Sequence, residues 1–153
     1  MDAPYSARTI AKWFIAWAEA EEADLSNLKL QKLLYYAQGH YVALHRKPLF
    51  KEDIQAWSHG PVVPAVYHEW KGYGSADLHL EPADPFNWAD VSGEDSQFLG
   101  QVWNSYGWYA AWHLRNMTHD EPPWQKNWRG DQFRGIVISV PDLEEHFTPL
   151  TKK

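Results

Sequence analysis

The residues that could carry acid–base chemistry fall in two separate segments of the sequence. Residues 57–61 contain His59, and His119 is followed directly by Asp120 and Glu121. An imidazole beside carboxylates can move protons in a catalytic step. In a Thr-His-Asp-Glu-Pro-Pro-Trp loop, however, the preferred interpretation of Asp120 and Glu121 is that they are capping and turn residues. Neither segment is accompanied by a nucleophile elbow, a phosphate-binding glycine loop or a two-histidine zinc helix. We predict that the protein is not an enzyme, and an enzyme acting through His59 and His119 is the alternative.

The eight histidines do not follow a pattern typical of a metal site. No pair has the spacing of four that places two imidazoles on one helix face, and His40 and His45 are five residues apart. The chain has no cysteine, which excludes disulfides, thiolate ligands and a cysteine nucleophile. We predict neither a metal nor a cofactor.

Residues 57–64, Trp-Ser-His-Gly-Pro-Val-Val-Pro, are the segment richest in recognition chemistry. A Gly-Pro pair after a strand indicates a rigid turn, which would display Trp57 and His59 beside a helix that begins at Pro64. A rigid turn suits binding because it loses little entropy when a partner associates. It equally suits a structural corner with Trp57 in the core. Both interpretations hold if His59 and Tyr67 face the partner.

A long helix near residues 27–45 is the predicted central element that positions this segment. Ser26 or Asn27 can cap it. Gly39 lies inside the helix at a cost of about 1 kcal/mol relative to alanine, so it marks a close helix crossing. The buried face is predicted from apolar residues at spacings of three and four: Leu30, Leu33, Leu34, Ala37 and Tyr41.

Three polar residues of the central helix lie among its apolar positions. Lys29 and Lys32 are predicted to fall outside the apolar stripe. Gln31 is either a buried polar organiser of the helix or a solvated position.

The remaining elements are short. Strands near residues 54–58 and 136–139 are expected to pair, since neither is stable alone. Segments 74–92 and 118–130 are predicted to be loop-like or irregular, and the tail from about residue 148 to be frayed. Further helices, capped where a serine precedes them, are predicted over residues 6–20, 64–71, 92–106, 108–117 and 139–147. The fold class is therefore mainly α with a small β element, in one compact domain over residues 1–153.

Composition excludes several functions. The formal net charge of −6 argues against nucleic-acid binding, which needs a cationic face. The N-terminus lacks a secretory signal pattern, and the apolar stretch near residues 10–20 is too short and polar to span a membrane. We expect a cytoplasmic protein. Ten tryptophans are difficult to place in so small a core, so a few should be surface anchors.

The interval between Lys71 and Arg115 contains no lysine or arginine. A charge run of this kind is usually a solvated loop. The alternative is an electrostatic strip that attracts a basic partner, and its candidate residues are Asp77, Glu81, Asp84 and Asp90.

Three stretches of sequence resemble the Panacea domain, the SocA-like family of phage-associated or GepA-like proteins. They are LSNLKLQKLLYYAQGHYVAL, KPLF and IQAWSHGPVVPAVYHEWKGYG. LRNMTHDEPPW and IVISVPDLEEHF resemble later elements of that family, so the resemblance spans most of residues 25–147. The acidic, proline-bearing insert at residues 76–89 departs from it.

The resemblance implies a mostly helical fold and an antitoxin role in a toxin–antitoxin system. Such antitoxins neutralise a cognate toxin by direct protein contact. One branch of the family implies a second role, a proteolytic adaptor that delivers its toxin to an ATP-dependent protease. The toxin of this chain would be basic if the acidic strip contacts it.

Two sets of residues follow from the motifs. The candidate partner-binding residues are Lys32, Trp57, His59, Tyr67, Trp70 and His119. The residues expected to maintain the motif's structure are Gln31, Leu33, Tyr35, Gly60, Pro61 and Trp124.

Overall fold

The computed structural model describes residues 2–130 and 135–151. Within these ranges the chain forms seven α-helices and a three-stranded sheet, which confirms the predicted mainly α fold with a small β element. The helices are α1 (Ala7–Glu21), α2 (Asn27–His45), α3 (Pro64–Trp70), α4 (Gly93–Tyr106), α5 (Ala111–His119), α6 (Pro122–Gln125) and α7 (Val140–Phe147). The strands are β1 (Ile54–Trp57), β2 (Gly60–Val62) and β3 (Val137–Ile138).

Serine side chains begin four of the helices. The hydroxyls of Ser6, Ser26, Ser92 and Ser139 accept hydrogen bonds from backbone N–H groups in the first turns of α1, α2, α4 and α7. Each cap satisfies a donor that the helix itself leaves unpaired. The predicted starts of these helices are therefore confirmed.

Helix α2 is buried on every side rather than along one stripe. It packs against α1, α3, α4, α5, α7 and β2. Lys29 and Lys32 are 7% and 0% exposed, so placing them outside the buried face was wrong. Helical periodicity marks the most apolar face, but it cannot reveal a lysine whose long stem is enclosed by several neighbours. Gly39 marks a close crossing as predicted, because a Cβ there would overlap the Phe147 ring of α7.

The sheet has the order β2-β1-β3, and both pairs are antiparallel. The predicted pairing of the first and last strands is confirmed by the Ile54–Ile138 register. The prediction that Gly60-Pro61 forms the turn was wrong, because both residues belong to β2, where Pro61 lies opposite Ala56. Proline is tolerated there because β2 is an edge strand.

Two further helical segments differ from prediction. Helix α5 begins at Ala111 instead of near residue 108. Residues 118–130 include the short helix α6, which begins at Pro122, where the missing proline N–H costs no hydrogen bond. The tail begins with a 3-10 turn at Thr148–Leu150, and residues 74–92 contain one such turn, Trp88–Asp90.

Candidate partner-binding site at the hairpin turn

The β1–β2 hairpin contains the motif that the sequence singled out. Trp57 pairs with Gly60, so the turn consists of Ser58-His59. Gly60 has a φ of +106°, a conformation that residues with a Cβ rarely adopt. A Cβ there would lie 2.8 Å from Thr118 Oγ1 and 2.9 Å from Lys32 Cε. Glycine at this position lets the hairpin lie directly against α2 and α5.

Lys32 lies beneath the hairpin instead of at its surface. Its side chain has no exposed area, and Nζ donates a hydrogen bond to the Pro61 carbonyl oxygen at 3.0 Å. Burial lowers the pKa of Lys32 to about 7, and the nearby Arg115 contributes in the same direction. In this conformation Lys32 positions β2, and its ammonium is not accessible to a partner.

Gln31 joins α2 to the chain between β2 and α3. Its Oε1 accepts a hydrogen bond from the Val63 N–H at 2.9 Å, and its Nε2 donates to Asn27 Oδ1 at 2.9 Å. Asn27 Nδ2 in turn donates to the Tyr67 carbonyl oxygen at 3.0 Å. This relay of two buried side chains fixes the start of α3 relative to α2.

A cleft of about 240 Å³ opens beside the hairpin turn. Trp57 is 6% exposed and forms its inner wall, with its ring edge-to-face against Tyr67 at a centroid distance of 5.2 Å. His59 is exposed at the turn, and Tyr67 is half-buried. The cleft is lined by Asn27, Leu28, Gln31, Trp57, His59, Val62, Tyr67, Lys71 and Gly74.

His119 is placed apart from this cleft, on the inner side of the hairpin. Its ring stacks on Trp124 at a centroid distance of 4.0 Å, and Trp124 Nε1 donates to the Trp57 carbonyl oxygen at 2.7 Å. Burial lowers the pKa of His119, which favours the neutral imidazole. His119 thus packs against the tryptophan that holds the hairpin, whereas His59 lines the cleft.

Other motif residues form the core. Trp70 is 6% exposed within the hydrophobic core, so it offers little surface to a partner. Leu33 and Tyr35 are fully buried. The hydroxyl of Tyr35 donates to Glu121 Oε1 at 2.8 Å, and that of Tyr36 donates to Glu121 Oε2 at 2.9 Å.

Glu121 has a structural role that goes beyond the expected cap or turn. It lies at the N-cap position of α6, and its carboxylate accepts hydrogen bonds from two tyrosines of the central helix. Burial raises the pKa of Glu121. No local pattern signals this role, because the partners of Glu121 are 85 and 86 residues away in sequence.

Two members of the acidic strip bond to the protein itself. Asp84 accepts hydrogen bonds from Lys12 at 2.8 Å and from Arg8. The bond from Lys12 contributes most, and that from Arg8 next, to lowering the pKa of Asp84 to about 2. Asp77 Oδ1 accepts the Leu25 N–H at 3.0 Å. Residues 77–84 are thereby tied to α1 and to the chain before α2.

The described ranges contain neither a metal-binding cluster nor a membrane-spanning helix. Residues 2–130 and 135–151 contain no group of three or more histidine, aspartate or glutamate side chains placed to hold a metal ion. Over the same ranges, no helix has the length and apolar character needed to cross a membrane.

A cleft lined by aromatic rings and a few polar side chains is typical of a binding site. The family described as "Antitoxin SocA-like, Panacea domain" matches residues 30–125, and the chain belongs to this family. The resemblance inferred from the sequence motifs is thereby confirmed.

One curated relative is similar over part of its length. Antitoxin SocA of Caulobacter vibrioides (strain NA1000 / CB15N) is 40% identical over 68 residues, which are 44% of this chain and 36% of that protein. The match therefore spans little more than a third of the relative. No solved structure matches the chain significantly.

Proposed function

We propose that this protein is the antitoxin of a toxin–antitoxin system and neutralises a cognate toxin by binding it at the hairpin cleft. Membership of the SocA-like family supports the antitoxin role. The name of the Caulobacter relative supports it independently of the cleft. The toxin-binding part of the proposal rests on the geometry around Trp57, His59 and Tyr67.

The observation that carries the proposal is the set of hydrogen bonds that hold the walls of the cleft within the family-matched region. All of its lining residues except Asn27 and Leu28 lie between residues 30 and 125. Its wall is fixed from behind by the Trp124–Trp57 hydrogen bond and from the side by the Gln31 relay. A partner that binds a preformed surface avoids the entropy cost of ordering it.

The exposed acids extend this proposal to the charge of the toxin. Glu81 and Asp90 are exposed, whereas Asp84 and Asp77 already accept hydrogen bonds within the chain. We therefore assign attraction of a basic toxin to Glu81 and Asp90. Reversing both to lysine should lower the association rate and its dependence on salt, and equal rates for the two proteins would remove this part of the proposal.

The experiment that tests the function is co-expression with the product of the adjacent gene, with growth and affinity capture as readouts. The proposal expects growth rescue together with a stable complex. Rescue with a shortened toxin lifetime and no stable complex would instead indicate a proteolytic adaptor. Absence of both rescue and complex would contradict the proposal.

A further inference from the structure

Exposed aromatic side chains are concentrated where α4 turns into α5. Trp108 and Trp112 are 71% and 64% exposed, the largest values among the exposed hydrophobic side chains of the described residues. Exposed clusters of this kind mark interaction surfaces, because large aromatic rings are seldom left in water without a use. The hairpin cleft does not include either tryptophan.

The aromatic rings are ordered against one another. Trp108 stacks on Tyr109 at a centroid distance of 4.1 Å, and Tyr109 stacks on His113 at 4.6 Å with an interplanar angle of 4°. Trp112 meets His113 edge-to-face at 5.8 Å. We call these four residues the aromatic ladder. Stacking fixes the rings in place, so little side-chain entropy would be lost on binding.

The turn that displays the ladder depends on Gly107. This residue follows α4, and its N–H donates to the Trp103 carbonyl oxygen at 2.7 Å. A Cβ there would lie 2.6 Å from Trp103 Cδ2. The close approach lets the chain leave α4 directly at Trp108.

A wide cleft of about 550 Å³ lies between the ladder and the residues around the start of α2. Trp108 and Tyr109 form one side, and Asp24 and Asp77 lie among the residues of the other. The lysine among the lining residues is Lys29, which is 7% exposed. Its Nζ donates a hydrogen bond to the Asp24 carbonyl oxygen at 3.3 Å and lies 5.6 Å from the centroid of the Trp103 ring. The cleft thus offers aromatic faces and two carboxylates, which also act on the charge of the buried Lys29. Two carboxylates against one ammonium leave the cleft with an excess of negative charge.

This combination selects a cationic ligand. A guanidinium group stacks on indole and tyrosine faces and also pairs with carboxylates. Single-stranded nucleic acid uses aromatic platforms too, but it requires a cationic groove, and residues 72–114 contain no lysine or arginine. A second copy of this chain would bring like charges together, since the net charge is −6.

We propose that the aromatic ladder, with the exposed Asp24, is a docking surface for an arginine-bearing segment of a partner protein. The inference rests on the proposed function in one respect, because the toxin is taken to be the partner protein that carries the arginine-bearing segment. The surface is separate from the hairpin cleft, although the two adjoin at Gly74 and Ser75. A partner that contacts both would gain from two linked sites.

The test uses the full chain and a capped synthetic peptide of alternating glycine and arginine, titrated by calorimetry. The wild type should bind the peptide. The double variant Trp108→Ala/Trp112→Ala should bind it with an affinity at least about tenfold lower. Asp24→Lys should weaken binding similarly. The matched controls are Trp88→Ala, an exposed tryptophan elsewhere, and Asp53→Lys, an exposed acid elsewhere; both should bind as the wild type does.

The inference would be overturned by the absence of peptide binding, by equal binding of the peptide to the ladder variant, or by a change from dimer to monomer when the ladder is removed. Tight binding of a single-stranded oligouridine in place of the peptide would also overturn it. The same variants titrated with the toxin separate the two proposals. If the wild type binds the toxin and the ladder variant binds it equally well, the ladder inference fails while the antitoxin function stands.

Discussion

Lys32 and Pro61 form the contact on which the hairpin rests: the Nζ of Lys32 donates to the Pro61 carbonyl oxygen at 3.0 Å. The lysine has no exposed surface, and burial is the main cause of its lowered pKa. A neutral amine can still donate this hydrogen bond. The central helix thus holds the edge strand from beneath while the outer face of the hairpin stays free for the cleft.

Replacing Lys32 should change how stability depends on pH. The pKa of Lys32 is about 7 in the folded protein against 10.5 as its ordinary value. Between these values the unfolded chain binds a proton that the folded protein lacks, so the free energy of unfolding rises with pH. Urea unfolding at about pH 7.5 and about pH 9 should show a rise of roughly 1–2 kcal/mol for the wild type relative to Lys32→Met. Parallel pH profiles would contradict the assigned titration.

Gly60→Ala should destabilise the protein by about 2 kcal/mol or more, because the residue has a positive φ and a Cβ would meet Thr118 and Lys32. Denaturant midpoints measure the effect. Gly100→Ala is the matched control, since it lies inside α4 with no atom within 4 Å of its added Cβ. The control should be neutral or up to about 1 kcal/mol more stable, and equal losses in both variants would contradict the steric account.

Gln31→Leu should break the relay between α2 and α3. It leaves the Val63 N–H unpaired in a buried position, which costs about 1–3 kcal/mol. Amide hydrogen exchange at Val63 should quicken together with the loss of stability. Gln97→Leu, an exposed position on α4, is the control and should leave both quantities near the wild-type values. Unchanged exchange at Val63 in the Gln31 variant would refute the relay.

Glu121→Gln should remove a second dependence of the free energy of unfolding on pH, which has the opposite sign to that of Lys32. Burial raises the pKa of Glu121 in the folded state above its ordinary value of 4.5. The folded protein then keeps a proton that the unfolded chain has lost, so the stability of the wild type falls as pH rises through this window. The variant lacks the titration, and thermal unfolding from about pH 4.5 to about pH 7 should show the wild type losing stability relative to it. A relative gain by the wild type would contradict the cause assigned to the shift.

The parts of the fold that depend on local chemistry were predictable from the sequence. Ser6, Ser26, Ser92 and Ser139 mark helix starts because a hydroxyl satisfies the free N–H groups of a first turn. The fold class and the strand pairing through Ile54 and Ile138 follow from periodicity and β-branched content. These signals lie within a few residues of the feature that they specify.

The errors concern contacts between distant segments. Lys32 resembled a surface residue because the spacing of apolar residues does not indicate how many elements pack around a helix. Gly60-Pro61 resembled a turn, yet the register begins β2 at Gly60 and leaves Ser58-His59 as the turn. Glu121 was expected to be a capping or turn residue, and the sequence did not indicate its hydrogen bonds to two tyrosines of α2. A single sequence contains no local record of such pairings.

The most direct test of the central claim is the affinity of the purified toxin for a variant altered only at the cleft. The double variant His59→Ala/Tyr67→Ala should raise the dissociation constant about tenfold or more. If either residue is a hot spot, the loss of binding free energy should be about 2 kcal/mol. Lys47→Ala, an exposed change beyond the end of α2, should leave it unchanged. Toxin binding at wild-type affinity by the folded cleft variant would contradict the claim that the hairpin cleft is where the toxin is held.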